Sequence, residues 1–217
     1  LHNADIYKER NYKEFIRLNE HRRDSLILGS SKYKKYIEED SYYNRELKFY
    51  IEKPKRWIFV PQHWIESFKL KDLERKSELK ERLRRGAMPF IYFYMPHNNY
   101  KYPFPAVRCA CRLKRGTKKI KFLDHTRAMI RALDSEFENF EIVEQPEDCI
   151  ISGHRGIILR SRFTLKNHYG KDIEYLSRIV IINGTDFVYM IVLTGSMEGE
   201  YYCEEEFTQS IQSIKIM

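Results

Sequence analysis

A chain of 217 residues that is 42% hydrophobic and 32% charged carries enough apolar material for one packed core and too much for a disordered segment. No stretch approaches the about 18 consecutive apolar residues of a membrane-crossing helix, and the polar, basic N-terminus lacks the apolar run of a signal peptide. The net charge of +8 is unevenly placed: Arg112 to Arg131 holds eight Lys or Arg against the single acid Asp124, while Glu198, Glu200, Glu204, Glu205 and Glu206 form an acidic run, so an electrically polarised molecule is expected.

Sixteen Tyr and thirteen Phe favour pleated, half-buried surfaces and therefore a prominent sheet. Residues 1–56 are polar and tyrosine-rich, with helical spacing at Tyr12, Phe15, Ile16 and Leu18 and again at Tyr33, Tyr36 and Ile37. This predicts an N-terminal helical arm, closed by Pro54, whose apolar stripe is too thin for a separate core. Trp57–Val60 reads as a short strand. Residues 66–85 form a charged helical insertion stopped by Gly86, whose Glu, Lys and Arg spacings suit ordinary i,i+4 pairing.

Met88–Met95 is apolar at both alternating positions, which predicts a strand covered on both faces and placed centrally. In the next segment Val107, Cys109, Cys111 and Leu113 alternate with Arg108, Ala110, Arg112 and Lys114, giving one buried and one basic face. The turn at Gly116 leads into a helix from about Leu123 to Phe137 with Met129, Ile130, Leu133 and Phe137 as its apolar stripe, expected to cover the sheet. Phe140–Val143 and Cys149–Ser152 read as two short strands. Arg155–Lys166 reads as a long one with Ile157, Leu159, Phe163 and Leu165 on one face and Arg160 and Arg162 on the other. Tyr175–Ile182 and Asp186–Leu193 are joined through Asn183-Gly184, a pair that tolerates the positive φ angles of a tight hairpin. Glu204–Ser213 reads as a helix that begins acidic, in keeping with the helix dipole.

Chemistry-bearing residues are sparse. Cys109 and Cys111, two apart on a strand, are expected to share a face as small apolar packing residues. Neither a C-x-x-C nor an H-x-x-x-H pair supplies metal-ligand spacing, so no metal is expected, and a Cys149–Cys203 disulfide is left open by spacing alone. Glycine-rich phosphate loops are absent and no cofactor is expected. His125 beside Asp124, and His154 in Ser152-Gly153-His154-Arg155, lack a neighbouring nucleophile. Asp124 is better read as the start of a helix and Ser152-Gly153 as a strand-end turn. The candidate binding surface is basic: Arg108, Arg112, Lys114, Arg115, Lys118, Lys119 and Lys121, extended by Arg160 and Arg162, and by Arg178 if the strands are neighbours. Converging guanidinium groups would hold a carboxylate, phosphate or acidic peptide. The competing expectation is that these cations pair with charged helices covering the same face.

The order of elements from Trp57 onward, with Ile151-Ser152-Gly153-His154-Arg155-Gly156, Phe163-Thr164-Leu165, the Asn183-Gly184 hairpin, Tyr189-Met190-Ile191-Val192-Leu193-Thr194 and the closing segment from Phe207 to Ile216, resembles the PsbP-like superfamily. That superfamily takes in the photosystem II extrinsic protein, the Ran-binding Mog type and uncharacterised bacterial lipoproteins. The resemblance spans residues 57–217. It implies an α+β fold with an antiparallel β-sheet flanked by helices, an α/β/α sandwich, serving as a non-enzymatic module that binds another protein or assists an assembly. It supplies no catalytic residue. The arm and the insertion at 66–85 depart from the compact family pattern. Bacterial members of this type imply an exported or lipid-anchored envelope protein. A chain that starts with Leu is compatible with a removed leader and a lipid anchor upstream, or with mitochondrial import. A protein partner is therefore expected, with a nucleic-acid or anionic-surface binder as the rival reading of the basic charge and an unrecognised enzyme as a third.

Overall fold

The computed structural model describes residues 40–59, 88–95, 104–114, 121–167, 169–197 and 203–217. The expected helices over residues 1–39 and 66–85 lie outside them, as do Arg115, Lys118 and Lys119. Twelve elements follow in chain order among the described residues: β1 (Ser41–Asn44), β2 (Phe49–Glu52), β3 (Ile58–Phe59), β4 (Met88–Tyr94), β5 (Ala106–Leu113), α1 (Phe122–Glu136), β6 (Glu138–Ile151), β7 (His154–Lys166), β8 (Asp172–Asn183), β9 (Phe187–Ser196), α2 (Glu204–Ser213) and β10 (Lys215–Ile216). A seven-stranded sheet runs β3-β4-β5-β9-β8-β7-β6, and a three-stranded one runs β1-β2-β10. All neighbouring strands are antiparallel. The fold class is α+β, an antiparallel sheet with a helix on each face.

Strand alternation sorts the large sheet into two apolar faces. On the front, Val107, Cys109, Cys111, Tyr189, Ile191, Leu193, Val180 and Ile182 pack with Phe207 of α2, Ile214, and Phe49 and Ile51 of β2. On the back, Ala110, Val188, Met190, Val192, Ile179, Ile181, Ile157 and Leu159 pack under Met129 and Leu133 of α1. The stripe predicted for this helix thus covers the sheet, and Ile130 and Phe137 flank it half-buried. The alternation predicted for β7 also holds, with Ile157, Leu159 and Phe163 buried.

Three expectations need correction. Residues 41–52 of the supposed helical arm form the antiparallel pair β1–β2. Their Tyr, Phe and Ile content suits strands, and the Leu47 N–H donating to Asn44 Oδ1 at 2.9 Å makes the side-chain turn that reverses the chain. Met88–Tyr94 is one strand from the edge rather than central, because β9 holds the middle of the sheet; apolar residues on both faces report cover from two sides, not position. The two short strands expected at 140–143 and 149–152 are one strand of 14 residues. It is an edge strand whose register slips three times, and an edge tolerates Pro146 because its missing N–H is needed by no outer neighbour.

The β8–β9 hairpin is present, with Asn183 opposite Val188. Neither Asn183 nor Gly184 takes a positive φ, however, so the turn is a longer loop than the tight type expected. Gly184 is required for a different reason. A Cβ at this position would lie 2.6 Å from the Tyr189 ring, 3.1 Å from the Phe187 carbonyl and 3.3 Å from Ile216. The ring cannot swing away, since the buried Tyr189 hydroxyl donates to the Leu47 carbonyl at 2.6 Å. Gly184→Ala is therefore expected to cost about 1–3 kcal/mol through overpacking. Urea denaturation measures it, and an unchanged midpoint would contradict the close approach.

The small sheet is fastened to the large one through the chain's last residues. The Ile216 N–H donates to Ser152 Oγ at 2.9 Å, the Glu52 N–H to Ser213 Oγ at 2.8 Å, and the Met217 N–H to the Lys48 carbonyl at 3.1 Å. These bonds tie the β6–β7 turn, α2 and β2 into one front layer.

Candidate functional site

Among the described residues, the basic positions singled out from the sequence do not converge on one surface. Arg160 lies opposite Arg178, which in turn lies opposite Leu193 of the front core, so Arg160, Arg162 and Arg178 share the front face. Arg108 and Arg112 lie opposite Val192 and Val188 of the back core. β5 and β7 are separated by β9 and β8. The expected extension of the β5 cations by Arg160 and Arg162 is thus replaced by two groups on opposite sides of the sheet. Strand order is set by pairings distant in sequence, which alternation within one strand does not reveal.

The front group is neutralised from within. Arg160 bonds Glu144 of β6 at 3.0 Å and Glu204 of α2 at 2.8 Å. Arg178, its side chain only 13% exposed, also pairs with Glu204 and donates to Thr208 Oγ1 at 3.1 Å. Arg162 meets Glu141 at 2.6 Å and Glu174 at 3.6 Å. These arginines anchor α2 and the edge strand to the sheet; the competing expectation named helices as the partners, whereas only Glu204 comes from a helix and Glu141, Glu144 and Glu174 come from strands.

The back group is treated differently. Arg108 lies over the Phe137 ring at 5.9 Å. Lys114, just beyond β5, donates to the Gly184 carbonyl; burial pulls its affinity for a proton down, opposed by Asp186. Arg112 has its Nε buried without a hydrogen-bond acceptor. Lys121 is exposed at the start of α1, which has no side-chain cap. Asp124, expected as the cap, sits inside the first turn, where its charge still favours the helix dipole.

His125, weighed in the sequence only beside Asp124 as an acid–base candidate, is buried, at 4% exposure. The signal was available: four residues before Met129 and eight before Leu133, it continues the sheet-facing stripe. Burial lowers its pKa first, then the charges of Arg112 and Lys114, against a smaller rise from Asp124. The depressed folded value means that the unfolded chain takes up the proton first, so this group stabilises the fold above the ordinary imidazole range and that contribution is lost as pH falls through it. Wild-type protein is expected to lose more stability between pH 7 and pH 5 than His125→Gln; equal losses in chemical denaturation at the two pH values would contradict this.

The remaining chemical candidates are structural in setting. His154 begins β7 beside the turn at Ser152 and Gly153, both at positive φ. All four cysteines are thiols. Burial pushes Cys111 and Cys203 up to about 12, far from a reactive thiolate. Among the described residues, no group of three or more His, Cys, Asp or Glu could hold a metal ion, and no helix is long and apolar enough to cross a membrane.

No family model matches the sequence, and no curated protein does either. Solved structures are similar at low identity. LpqN of Mycobacterium tuberculosis, involved in cell envelope biogenesis, aligns at 10% identity with a TM-score of 0.49 over 78% of this chain and 83% of that one. Cyanobacterial PsbP (CyanoP) from Synechocystis aligns at 10% identity with a TM-score of 0.54 over 82% of this chain and 91% of that one. The chain therefore has a PsbP-like α+β fold.

Proposed function

We propose that the chain is a non-enzymatic accessory module that binds another protein through the basic end where β5 meets α1. The observation that carries this reading is the unequal disposition of charge. The front arginines are matched by Glu141, Glu144, Glu174 and Glu204, whereas Arg112 and Lys121 have no carboxylate partner among the described residues. The sequence adds Arg115, Lys118 and Lys119 between them. A basic run of this kind attracts an acidic surface and speeds encounter with it. The PsbP-like fold supports a binding role by resemblance, and export to the bacterial envelope belongs to the same reading.

Purification of the full-length protein from its source cells tests it. A stoichiometric protein partner, released as salt rises, is the expected result. Recovery with RNA or DNA in place of a protein, or alone at low salt, would overturn it. Cell fractionation checks the location.

A further inference from the structure

Arg112 and His125 place two buried, unpartnered nitrogen atoms on the same side of the sheet. Arg112 stands on the back face of β5 opposite Val188, and Val188 packs in the cluster that Met129 of α1 covers. His125 is one turn before Met129 on that helix. Arg112 Nε and His125 Nδ1 are both buried with no hydrogen-bond partner, and the imidazole feels the charges of Arg112 and Lys114. A buried polar atom left unpaired costs about 1–3 kcal/mol, so two of them in one neighbourhood call for an occupant.

Nearby acids are committed elsewhere. Asp124 is directed to Arg127 at 3.5 Å and Asp186 to Lys48 at 2.6 Å. α1 begins here without a side-chain cap; its Asp124 and His125 N–H groups donate to the Lys121 carbonyl, and the positive end of its dipole adds to the same potential. Water would leave the guanidinium charge unbalanced; an anionic oxygen supplies both an acceptor and the compensating charge.

We propose that Arg112, His125 and the first turn of α1 form a binding site for one oxyanion of the phosphate class, free or carried as the phosphoryl group of a small molecule. Arg112 supplies a charge-assisted Nε–H donor and His125 donates from Nδ1, either as the tautomer protonated there or as imidazolium. The inference shares Arg112 with the protein-binding reading but concerns its buried Nε beside His125 in the isolated chain, so phosphate binding and capture of a protein partner fail independently.

The test follows the His125 ring by NMR in the full-length protein, titrated with inorganic phosphate against sodium chloride at equal ionic strength. The expected result is a saturable one-to-one shift and an upward movement of the His125 titration in phosphate. Arg112→Met should weaken phosphate by about tenfold or more, as loss of one charge-assisted hydrogen bond requires, while the remote Lys171→Met leaves it unchanged. Saturation at lower concentration by a phosphomonoester such as glycerol phosphate identifies the bound form as a phosphorylated small molecule; tighter binding of inorganic phosphate identifies the free anion. A linear response matched by chloride, or equal binding by Arg112→Met, overturns the proposal. If Arg112→Met does not fold, the wild-type comparison decides, and a His125 titration identical in phosphate and chloride is the contrary result.

Discussion

Phe49→Ala is expected to destabilise the protein by about 3–5 kcal/mol, the range for emptying a fully buried aromatic site. Phe49 is completely buried, with its ring 5.0 Å from Phe90 and 5.3 Å from Tyr189. It therefore joins β2 to two strands of the large sheet. The hairpin also accepts the Tyr189 hydroxyl bond at Leu47 and pairs with β10. A removable arm would give a different result, with truncation at this position costing less than about 1 kcal/mol, as exposed substitutions do. Equilibrium urea denaturation separates the two outcomes. For the same reason, deleting residues 1–53 removes part of the core and cannot serve as a clean test of an arm that docks on a partner.

Glu204→Gln is expected to cost about 2–3 kcal/mol, because removing one member of a largely desolvated pair leaves uncompensated charge behind. Its carboxylate serves Arg160 and Arg178 together, and these two arginines lie directly opposite one another on β7 and β8. Without it, two like charges face each other across neighbouring strands, and the first turn of α2 loses an acid that its dipole favours. Arg178→Met made in the Glu204→Gln background should recover part of the loss, since it removes one of the two facing cations. A double-mutant cycle reads this coupling directly. A cost below about 0.5 kcal/mol, typical of an exposed ion pair, would show that the network does not anchor the helix.

How much of this was legible in the sequence depends on how local the cause was. The stripe of Met129 and Leu133, the alternation of Ile157, Leu159 and Phe163 against Arg160 and Arg162, and the hairpin around Gly184 follow from neighbours within a few residues, and all three are present. The hairpin's mechanism was less legible. Asn-Gly suggested positive φ, whereas Gly184 is kept small by Tyr189 and Ile216, contacts that depend on tertiary packing. The β1–β2 hairpin was missed because the helical spacing at Tyr12–Leu18 and Tyr33–Ile37 was extended over residues 41–52, which do not share it, and the deciding partner is β10, more than 150 residues away in sequence.

The candidate surface suffered most from this limit. Charge counting found every arginine in the set but gave no account of its partners: Glu204 neutralises Arg160 from a helix 44 residues further along the chain. Only the sheet order reveals that Arg112 and Arg160 stand on opposite faces. The burial of His125 could have been found from the extended α1 stripe, yet its unpartnered Nδ1 could not, because that depends on how the helix lies on the sheet.

The most direct test of the account is quantitative capture from source-cell extract by three full-length baits: wild type, a variant with Arg115, Lys118, Lys119 and Lys121 changed to Glu, and Arg162→Gln. The account predicts a stoichiometric protein held by wild type and by Arg162→Gln, whose cation is already neutralised on the front face, and lost from the charge-reversed variant. Equal retention by all three, or loss from Arg162→Gln alone, would contradict the assignment of binding to the basic end of β5 and α1.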